Sequence, residues 1–501
     1  MCCFPLFNGV TRGYFSSPCI QVKKKMGGCS EWFQRNQKNK PQSNTLASYA
    51  MTLITSGLVI GSTIFNVEYS MQAWTLGHSS VAVLMVSLSF YLAAMLGTLV
   101  GCILVERYPK KFISRIFQVP TLLGSILLTA IPQEIAGVAV ARVLIGFGHG
   151  VAFLVLPIHA SEIVINRQRG ANVASISNSV IVGALIFGII SPMEMYNFGM
   201  NPLRLIGIVG IVLTGFGGLL SIFIFYESPV FLMKRGRDDK AIKAMMKLRT
   251  ESVETWELRN DFDELKAMIS EEEQHSKSIF SDGNLRPLIV LALAKVATVL
   301  SFNMALNVVR ILILSTLFLT TTYNTSAMII SGVRVVVTFI AMLTVDRFGR
   351  KMSFTFSSLT SGILLTVLGV FFLISQSIHR DVAIGMVLAY EVLASLGLTF
   401  IPDVYLSEAF PLIKKSASIG VIQTVENICQ LIFVCIMHLG VRVYIGDVLV
   451  GCGAPLLALS VVFFLLLPET ARMSLRQSSA EFSKQGMNHL NYKVVVQARE
   501  P

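Results

Sequence analysis

Two short charged motifs occur at matching places in the two halves of the chain. The first is residues 106–111 (ERYPKK), and the second is residues 346–351 (DRFGRK). A Ser-Glu pair also occurs twice, at 161–162 and at 407–408. Arginine and carboxylate side chains form paired, charge-assisted hydrogen bonds, so these motifs predict ion pairs that hold elements of the fold together. They do not predict catalysis, because the sequence offers no nucleophile–base pair, phosphate-binding glycine loop or metal-ligand cluster beside them.

Further ionisable residues lie within or beside long apolar runs. They are Arg310, Arg334, Glu391, Asp403 and Glu426. A charge in a bilayer costs at least a few kcal/mol, so such residues usually face a cavity or pair with one another. Two interpretations stay open: they contact a charged solute, or they form internal salt bridges.

The composition indicates which solvent surrounds these charged groups. Charged residues make up 14% of the chain and hydrophobic residues 53%, which is too little polar material to cover a water-exposed surface. The net charge of +12 comes from basic residues in the tails and in short loops. That distribution is typical of a membrane protein and argues against nucleic-acid binding.

The charged motifs lie between apolar runs that are long enough to span a bilayer. About twelve such runs occur, at 46–67, 80–104, 113–133, 135–157, 172–192, 204–226, 287–317, 326–345, 353–375, 382–402, 417–438 and 447–467. We therefore predict an all-α integral membrane protein with twelve transmembrane helices. The matching motif positions predict two related six-helix halves around a central cavity, an alternating-access architecture.

The same pattern divides the chain into five segments. We predict a cytoplasmic amino-terminal tail at 1–45, a first half at 46–226 and a second half at 287–467. The mixed charges and helical periodicity of 227–286 predict a cytoplasmic helical linker, and 468–501 forms a second cytoplasmic tail.

Loop charges predict the orientation. The connections 68–79 and 318–325 contain no Lys or Arg, whereas the motif loops are basic, so both termini are expected in the cytoplasm. Asn324 begins a glycosylation sequon on the outer side, and Cys2 and Cys3 are candidates for acylation; neither modification follows from the sequence alone.

The motifs resemble those of the sugar porters of the major facilitator superfamily over roughly residues 45–475. The motif loops are similar to that family's acidic-Arg-x-Gly-Arg-Arg/Lys signature. The other matching pieces are Arg142 in ARVLIGFGHG, Pro157 to Gly170, Glu227-Ser228-Pro229 with Phe231-Leu232, and Leu467-Pro468-Glu469-Thr470. The resemblance implies a major-facilitator fold and transport of a small polar solute without covalent chemistry.

The resemblance also implies a cytoplasmic gate of ion pairs. Arg107 and Arg169 would engage Glu162 and Glu227. In the second half, Arg347 and Arg350 would engage Glu408 and Glu469. Arg142 is included in this gate through its matching motif.

The substrate-binding positions depart from the family pattern. Only Asn307 remains of the family's Gln-Gln-x-x-Gly-x-Asn, and Asp403 follows Pro402 where the family has a tryptophan. The first-helix acid of proton-coupled members aligns with Thr63. This favours facilitated diffusion, with Asp403 or Glu426 as another possible route for protons. The candidate substrate-binding residues are Ser177, Asn178, Asn307, Arg334, Asp403, Gln423 and Asn427.

Three hypotheses follow. The first is a carrier of a sugar or sugar-like solute, and the second is a carrier of a charged or zwitterionic organic solute. The third is a nutrient receptor that binds without transporting. All three predict a monomeric unit in a lipid bilayer, with the plasma membrane as the default location. None requires a cofactor or a metal.

Overall fold

The computed structural model of the chain describes residues 39–65, 80–190, 201–274, 280, 282–317, 323–374, 379–438 and 444–483. Cys2 and Cys3 lie outside the described residues, as do the side chain of Asn324 and most of the two loops without basic residues.

The first half contains six long helices. They are α1 (Lys40–Phe65), α2 (Ser80–Arg107), α3 (Lys110–Ala130), α4 (Ile135–Ile163), α5 (Arg169–Ile190) and α6 (Pro202–Ile224). Each is apolar and long enough to cross a bilayer. Lipid offers no hydrogen-bond partners, so an apolar run of this length satisfies its peptide groups within a helix.

Three shorter helices link the halves. They are α7 (Pro229–Lys234), α8 (Asp238–Leu248) and α9 (Trp256–Gln274). Ser228 caps α7 by accepting a hydrogen bond from the amide of Phe231 at 3.2 Å. The apolar faces of the three helices form a separate core that includes Leu412 and Leu475 of the second half. We call the end of the bundle that carries these helices the linker end.

In the described residues, the second half and the tail that follows it contain nine helices. They are α10 (Asp282–Phe302), α11 (Met304–Leu317), α12 (Tyr323–Phe348), α13 (Arg350–Ile374), α14 (Arg380–Ser395), α15 (Ile401–Ala409), α16 (Lys415–His438), α17 (Ile445–Leu466) and α18 (Leu475–Ser483). Within the described ranges, eleven stretches meet the length and hydropathy of a membrane span. The run at 382–402 is not among them, because it forms two half-helices, α14 and α15, joined by turns at 396–400.

A second break divides the run at 287–317. The side chain of Asn303 caps α11 by accepting from the amide of Leu306 at 2.8 Å. Its amide group donates back to the carbonyls of Val299 and Leu300 at the end of α10. One polar side chain thus satisfies both helix ends where the backbone turns inside the bundle.

Glycines allow the helices of the first half to approach closely. A β-carbon added to Gly150 of α4 would lie 1.9 Å from the carbonyl oxygen of Ala94 on α2. One added to Gly57 of α1 would lie 2.1 Å from the carbonyl oxygen of Val180 on α5. Small residues at such crossings are typical of helix packing in membranes.

The two halves meet along two pairs of helices. Helix α5 packs against α12, and α2 packs against α16. Large apolar side chains point outward on the other faces; Val212 is 63% exposed and Val336 is 59% exposed. Such faces suit lipid rather than water, and the protein is accordingly a multi-pass membrane protein.

Candidate functional site

A cavity of about 170 Å³ lies between the two halves, and both contribute to its wall. Aromatic rings of Tyr91, Phe153 and Phe302 form part of its surface. The other polar lining residues are Thr98, His149, Ser177, Lys295, Thr298, Asn307, Arg334, Thr399, Asp403, Gln423, Glu426, Asn427 and Gln430. A concave site with convergent polar groups at the boundary between two repeats is where a carrier binds its solute.

The helix breaks help to place two of these side chains. Asn307 lies one turn after the break at Asn303, and its amide group donates to the carbonyl of Phe302 at 3.0 Å. Asp403 lies in the first turn of α15, directly after the break at 396–400. Half-helix ends at the centre of a bundle expose backbone groups and favour polar side chains, which is typical of carrier sites.

Six of the seven predicted substrate-binding residues line this cavity, and Asn178 does not. Ser177 occupies the cavity-facing position of α5. The next residue of a helix points about 100° away. Asn178 is buried outside the cavity wall, and its side-chain oxygen has no hydrogen-bond partner among the described residues.

Lys295 forms the centre of one buried charged cluster. Its ammonium nitrogen lies 2.5 Å from Asp403 Oδ1 and 2.9 Å from Glu426 Oε2. Asp403 Oδ2 in turn accepts a hydrogen bond of 2.6 Å from the hydroxyl of Ser177, which belongs to the other half. The cluster therefore joins α10, α15 and α16 to α5 across the cavity.

The sequence reasoning missed Lys295. It is a single lysine in the apolar run LIVLALAKVATVL, without a repeated motif beside it. An isolated charge within a membrane-spanning segment is energetically unfavourable, and this was the available signal. It indicates that the lysine pairs with an acidic residue or faces a cavity.

Glu391 forms the centre of a second cluster. Arg310 donates to Glu391 Oε1 and also to Asn307 Oδ1, the latter at 2.5 Å. Arg334 donates to both oxygens of Glu391 at 3.2 Å and to Asn307 Oδ1 at 3.0 Å. The Arg334 guanidinium stacks 4.6 Å from the ring centre of Phe302. These contacts support the internal salt-bridge interpretation for Arg310 and Glu391, while Arg334 also faces the cavity.

The repeated motifs form ion pairs at the linker end, with partners that differ from the predicted ones. Lys110, rather than Arg107 or Arg169, pairs with Glu162 at 3.0 Å. Glu227 accepts from the backbone amides of Lys110 and Lys111. An acidic side chain at a helix amino terminus is stabilised by the helix dipole and by the free amide groups there.

The second half repeats this backbone arrangement. Glu469 accepts from the amides of Arg350 and Lys351 at 2.9 to 3.1 Å. The side chain of Arg350 contacts Glu408 and also donates to Asp346 at 3.1 Å. Of the predicted pairs, the structure thus contains Arg350 with Glu408 and, through its backbone, Arg350 with Glu469.

Three other predicted gate residues lie elsewhere or lack the expected partner. The side chains of Arg107 and Arg347 are exposed, and no ion pair of either is found in the described part of the chain. Arg142 lies near the start of α4, at the opposite end from the linker helices, and donates to the hydroxyls of Ser62 and Thr63. A long basic side chain at an exposed helix end can be solvated by water instead of pairing with a carboxylate. Proximity in sequence therefore does not determine its ion-pair partner.

In the described residues, four polar contacts that involve a charged side chain join the two halves at the linker end. Glu408 forms an ion pair with Arg169 of the first half at 3.5 Å, in addition to its ion pair with Arg350. The remaining contacts are Asp346 Oδ2 with the amide of Ala171 at 3.0 Å, Ser416 with Glu106 at 2.5 Å, and Lys415 with Ser161 at 3.1 Å.

The linker helices add contacts to the second half. The ammonium group of Lys234 donates to the carbonyl of Leu412 at 3.0 Å, and burial lowers the pKa of Lys234. Glu272 accepts from the amide of Ile413 at 3.0 Å. Together with the four contacts between the halves, these bonds hold the linker end of the cavity closed. In the described ranges, no group of three potential metal ligands accompanies these elements.

A family model for sugar (and other) transporters matches residues 30–482. This chain belongs to that family. The resemblance found in the motifs is thereby confirmed, and the altered substrate-binding positions lie within a member of the sugar transporter family.

Several curated relatives are similar over part of their length. The facilitated trehalose transporter Tret1 of Aedes aegypti is 29% identical over 347 residues, covering 64% of this chain and 40% of that protein. Tret1 of Culex quinquefasciatus is 30% identical, covering 57% and 54%. The H(+)/hexose cotransporter 2 of Parachlorella kessleri is 28% identical, covering 52% and 48%. The matches with these three relatives span about half of their length.

Solved structures share the fold. The proton:xylose symporter XylE bound to 6-bromo-6-deoxy-D-glucose superposes with a TM-score of 0.72 at 16% identity, covering 89% of this chain and 100% of that chain. The inward-open form of XylE from E. coli superposes with a TM-score of 0.60 at 15% identity, covering 88% and 97%. The predicted all-α major-facilitator fold is confirmed.

Proposed function

We propose that this protein carries a sugar across the membrane by alternating access. The observation that supports this most directly is a cavity lined by both halves, with Arg169 and Glu408 joining the halves at its linker end. The linker end is the cytoplasmic end in this proposal, in agreement with the basic loops there. Rocking the halves apart at that end would release a bound solute into the cytoplasm.

The chemistry of the cavity supports a neutral, hydroxyl-rich solute. Its ionisable groups are compensated in two clusters, around Lys295 and around Glu391, so neither sign of charge dominates. Sugar hydroxyls both donate and accept, which matches a wall of carboxylate oxygens, guanidinium nitrogens and amide groups. The rings of Tyr91, Phe153 and Phe302 offer apolar faces for the C–H groups of a pyranose.

Opening the linker end requires the contacts of Glu408 to change. Glu408 is 1% exposed and lies between Arg169 of the first half and Arg350 of its own half. Separating the halves removes Arg169, while Arg350 continues to compensate the carboxylate. The gate can therefore open without leaving a buried carboxylate unpaired.

A specific observation favours a second candidate, transport of a zwitterionic solute. Arg334 and Glu426 both line the cavity, and their side chains are 11% and 17% exposed. Each belongs to a cluster with one more group of its own sign than of the other. A small solute with both an ammonium and a carboxylate group could contact both clusters.

Other parts of the proposal follow from the family and the orientation. We place both termini in the cytoplasm and the protein in the plasma membrane, as a monomeric carrier without catalytic activity or a cofactor. The trehalose and hexose named for the relatives supply the first solutes to test.

The test is uptake of radiolabelled glucose, fructose and trehalose, beside amino acids and organic ions, in cells without their own hexose carriers. We expect saturable uptake of a sugar that is lost in Glu408→Ala and retained in the matched variant Arg107→Gln. Uptake of amino acids alone would favour the zwitterion candidate. Binding without uptake of any solute, by protein shown at the cell surface, would favour the receptor.

A further inference from the structure

Lys295 has a role that alternating access alone does not require. It is 1% exposed in the middle of a membrane-spanning helix, between the carboxylates of Asp403 and Glu426. The ring of Phe153 from the first half lies 5.2 Å from its ammonium nitrogen. A neutral sugar needs no buried ammonium group, and burying one is unfavourable unless it compensates other charges.

The two carboxylates need a cation. Asp403 is nearly fully buried, while Glu426 keeps contact with the cavity through its 17% exposed side chain. Two carboxylates this close in a largely dry site bind a proton or a metal cation when the protein supplies no positive charge. In a carrier, a cation taken from solution makes transport depend on the gradient of that cation.

We propose that Lys295 is a tethered cation that replaces a coupling ion. Its ammonium group pairs with both Asp403 and Glu426 throughout the transport cycle, and the one excess negative charge of this cluster is offset by the one excess positive charge of the cluster around Glu391 on the same cavity. Solute flux therefore requires neither protons nor sodium. The proposal rests on the proposed carrier function and assigns it a mode, facilitated diffusion. The contact of Arg142 with Thr63 agrees with it, because the partner of that arginine on α1 is a hydroxyl rather than a carboxylate.

The other charged and titratable groups of the described residues around the cluster come from four helices, and one of these groups is Arg334 of α12, which lines the same cavity. His149 of α4 lines the same cavity, and Ser56 bonds to its Nδ1 at 2.9 Å. Tyr91 of α2 and Cys429 of α16 lie within electrostatic range of Glu426. None of these groups is a cation partner of Asp403 or Glu426 in the described residues, so Lys295 is the group to change.

Replacing Lys295 should create a cation-dependent carrier. Lys295→Met keeps a similar length and removes the charge, which leaves Asp403 and Glu426 facing each other. One of them then binds a proton, or the pair binds sodium. The triple variant Lys295→Met/Asp403→Asn/Glu426→Gln removes this need, because it leaves neither carboxylate buried without a cation.

The first experiment compares sugar exchange in proteoliposomes with equal pH on both sides, at pH about 6 and about 8, with and without sodium. We expect wild-type exchange to change less than about twofold between these conditions. Lys295→Met should lose about tenfold at pH 8 without sodium and recover at pH 6 or with sodium. The triple variant should show as little response to pH and sodium as the wild type, and His149→Gln controls for titration of the cavity histidine.

A second readout needs no solute. The folded Lys295→Met protein binds a proton that its unfolded chain releases, so its melting temperature in detergent should rise as the pH falls from about 8 to about 6. Wild-type protein should show no comparable rise, and neither should the triple variant, which has no carboxylate at either position.

Three results would overturn the proposal. The first is movement of protons together with sugar in the wild type. The second is a melting temperature that responds to pH and sodium equally in Lys295→Met and the wild type, and the third is a Lys295→Met protein that is folded yet inactive in all conditions. Absence of any wild-type sugar exchange would instead refute the proposed function, while the melting experiment would still decide the role of Lys295.

Discussion

In the first half, Glu227 accepts hydrogen bonds from the backbone amides of Lys110 and Lys111, and in the second half Glu469 does the same for Arg350 and Lys351. The two motif loops therefore each have two consecutive backbone amides that donate to one glutamate side chain. Their buried cations differ, since the first loop uses a lysine and the second an arginine.

That difference decides how many partners each loop holds. Lys110 forms one ion pair, with Glu162. Arg350 has a planar group with several donors, and it contacts Glu408, Asp346 and Thr470 together. Glu408 and Asp346 are also acids of the second half that reach the first half at the linker end. The arginine loop thus organises the ion pairing between the halves. The cation of the lysine loop stabilises the first half, and that loop contacts the second half through the hydrogen bond from Ser416 to Glu106.

The largest expected effect comes from Arg350→Leu. It removes the buried cation that Glu408 and Asp346 share and leaves Glu408 with Arg169 alone at 3.5 Å, which should lower the free energy of unfolding by about 3–5 kcal/mol. Thermal unfolding of the detergent-solubilised protein measures this, together with the loss of solute exchange. The free energy of unfolding of Arg350→Lys should lie between those of Arg350→Leu and the wild type, because lysine restores the charge without the planar geometry of the guanidinium group. A stable, active Arg350→Leu would contradict the central role of this arginine.

A smaller loss is expected from Lys110→Met, which removes one ion pair. The free energy of unfolding should fall by roughly 2–3 kcal/mol, as for a buried hydrogen bond to a charged group. Solute exchange per folded molecule should change little, because Glu162 does not contact the second half in an ion pair of the described residues. Equal losses of exchange in Lys110→Met and Arg350→Leu would show that the two loops have the same function.

The turns before the two cations provide the next comparison. Gly349 has φ of +87°, and a β-carbon there would lie 2.6 Å from Glu469 Oε2, whereas Pro109 has φ of −60°. Gly349→Ala should cost about 1–3 kcal/mol through backbone strain. Pro109→Ala has an ordinary backbone angle and should be tolerated. The two melting temperatures measure the contrast, and a tolerated Gly349→Ala would mean that the second loop can relax.

The smallest effects are expected at the exposed motif arginines. Arg107→Gln and Arg347→Gln should each change the free energy of unfolding by no more than about 0.5 kcal/mol, since neither side chain forms an ion pair in the described structure. Solute exchange should also persist. Loss of exchange in either variant, with an unchanged melting temperature, would indicate that the arginine finds a partner only after the linker end opens.

The membrane spans and most of the proposed binding residues could be predicted from the sequence. The spans follow from apolar runs, since a run of about 20 apolar residues has few alternatives to a membrane helix. Six of the seven proposed binding residues line the cavity because the repeated motifs fix the helix register on which the resemblance depends. Asn178 does not line it, since neighbouring residues of one helix face different directions.

The pairing of charges was much harder to foresee. Arg169 and Glu408 are 239 residues apart in a chain of 501, and Glu162 has Arg167 and Arg169 close to it in sequence, although its partner is Lys110. Long basic side chains can reach many positions from one helix end, so only the packed arrangement selects a partner. Lys295 was missed for the same reason, because both of its partners lie more than a hundred residues away.

The sequence by itself determined the membrane class, the two related halves, the position of the linker and the family resemblance, because these depend on local hydropathy and on repeated motifs. Only the tertiary structure decided which charges meet, that the span at 382–402 breaks into two half-helices, and that Lys295 joins Asp403 and Glu426 beside the cavity. Local patterns fix the helices, whereas the balance of buried charges is a property of the packed bundle and is settled by groups that meet only there.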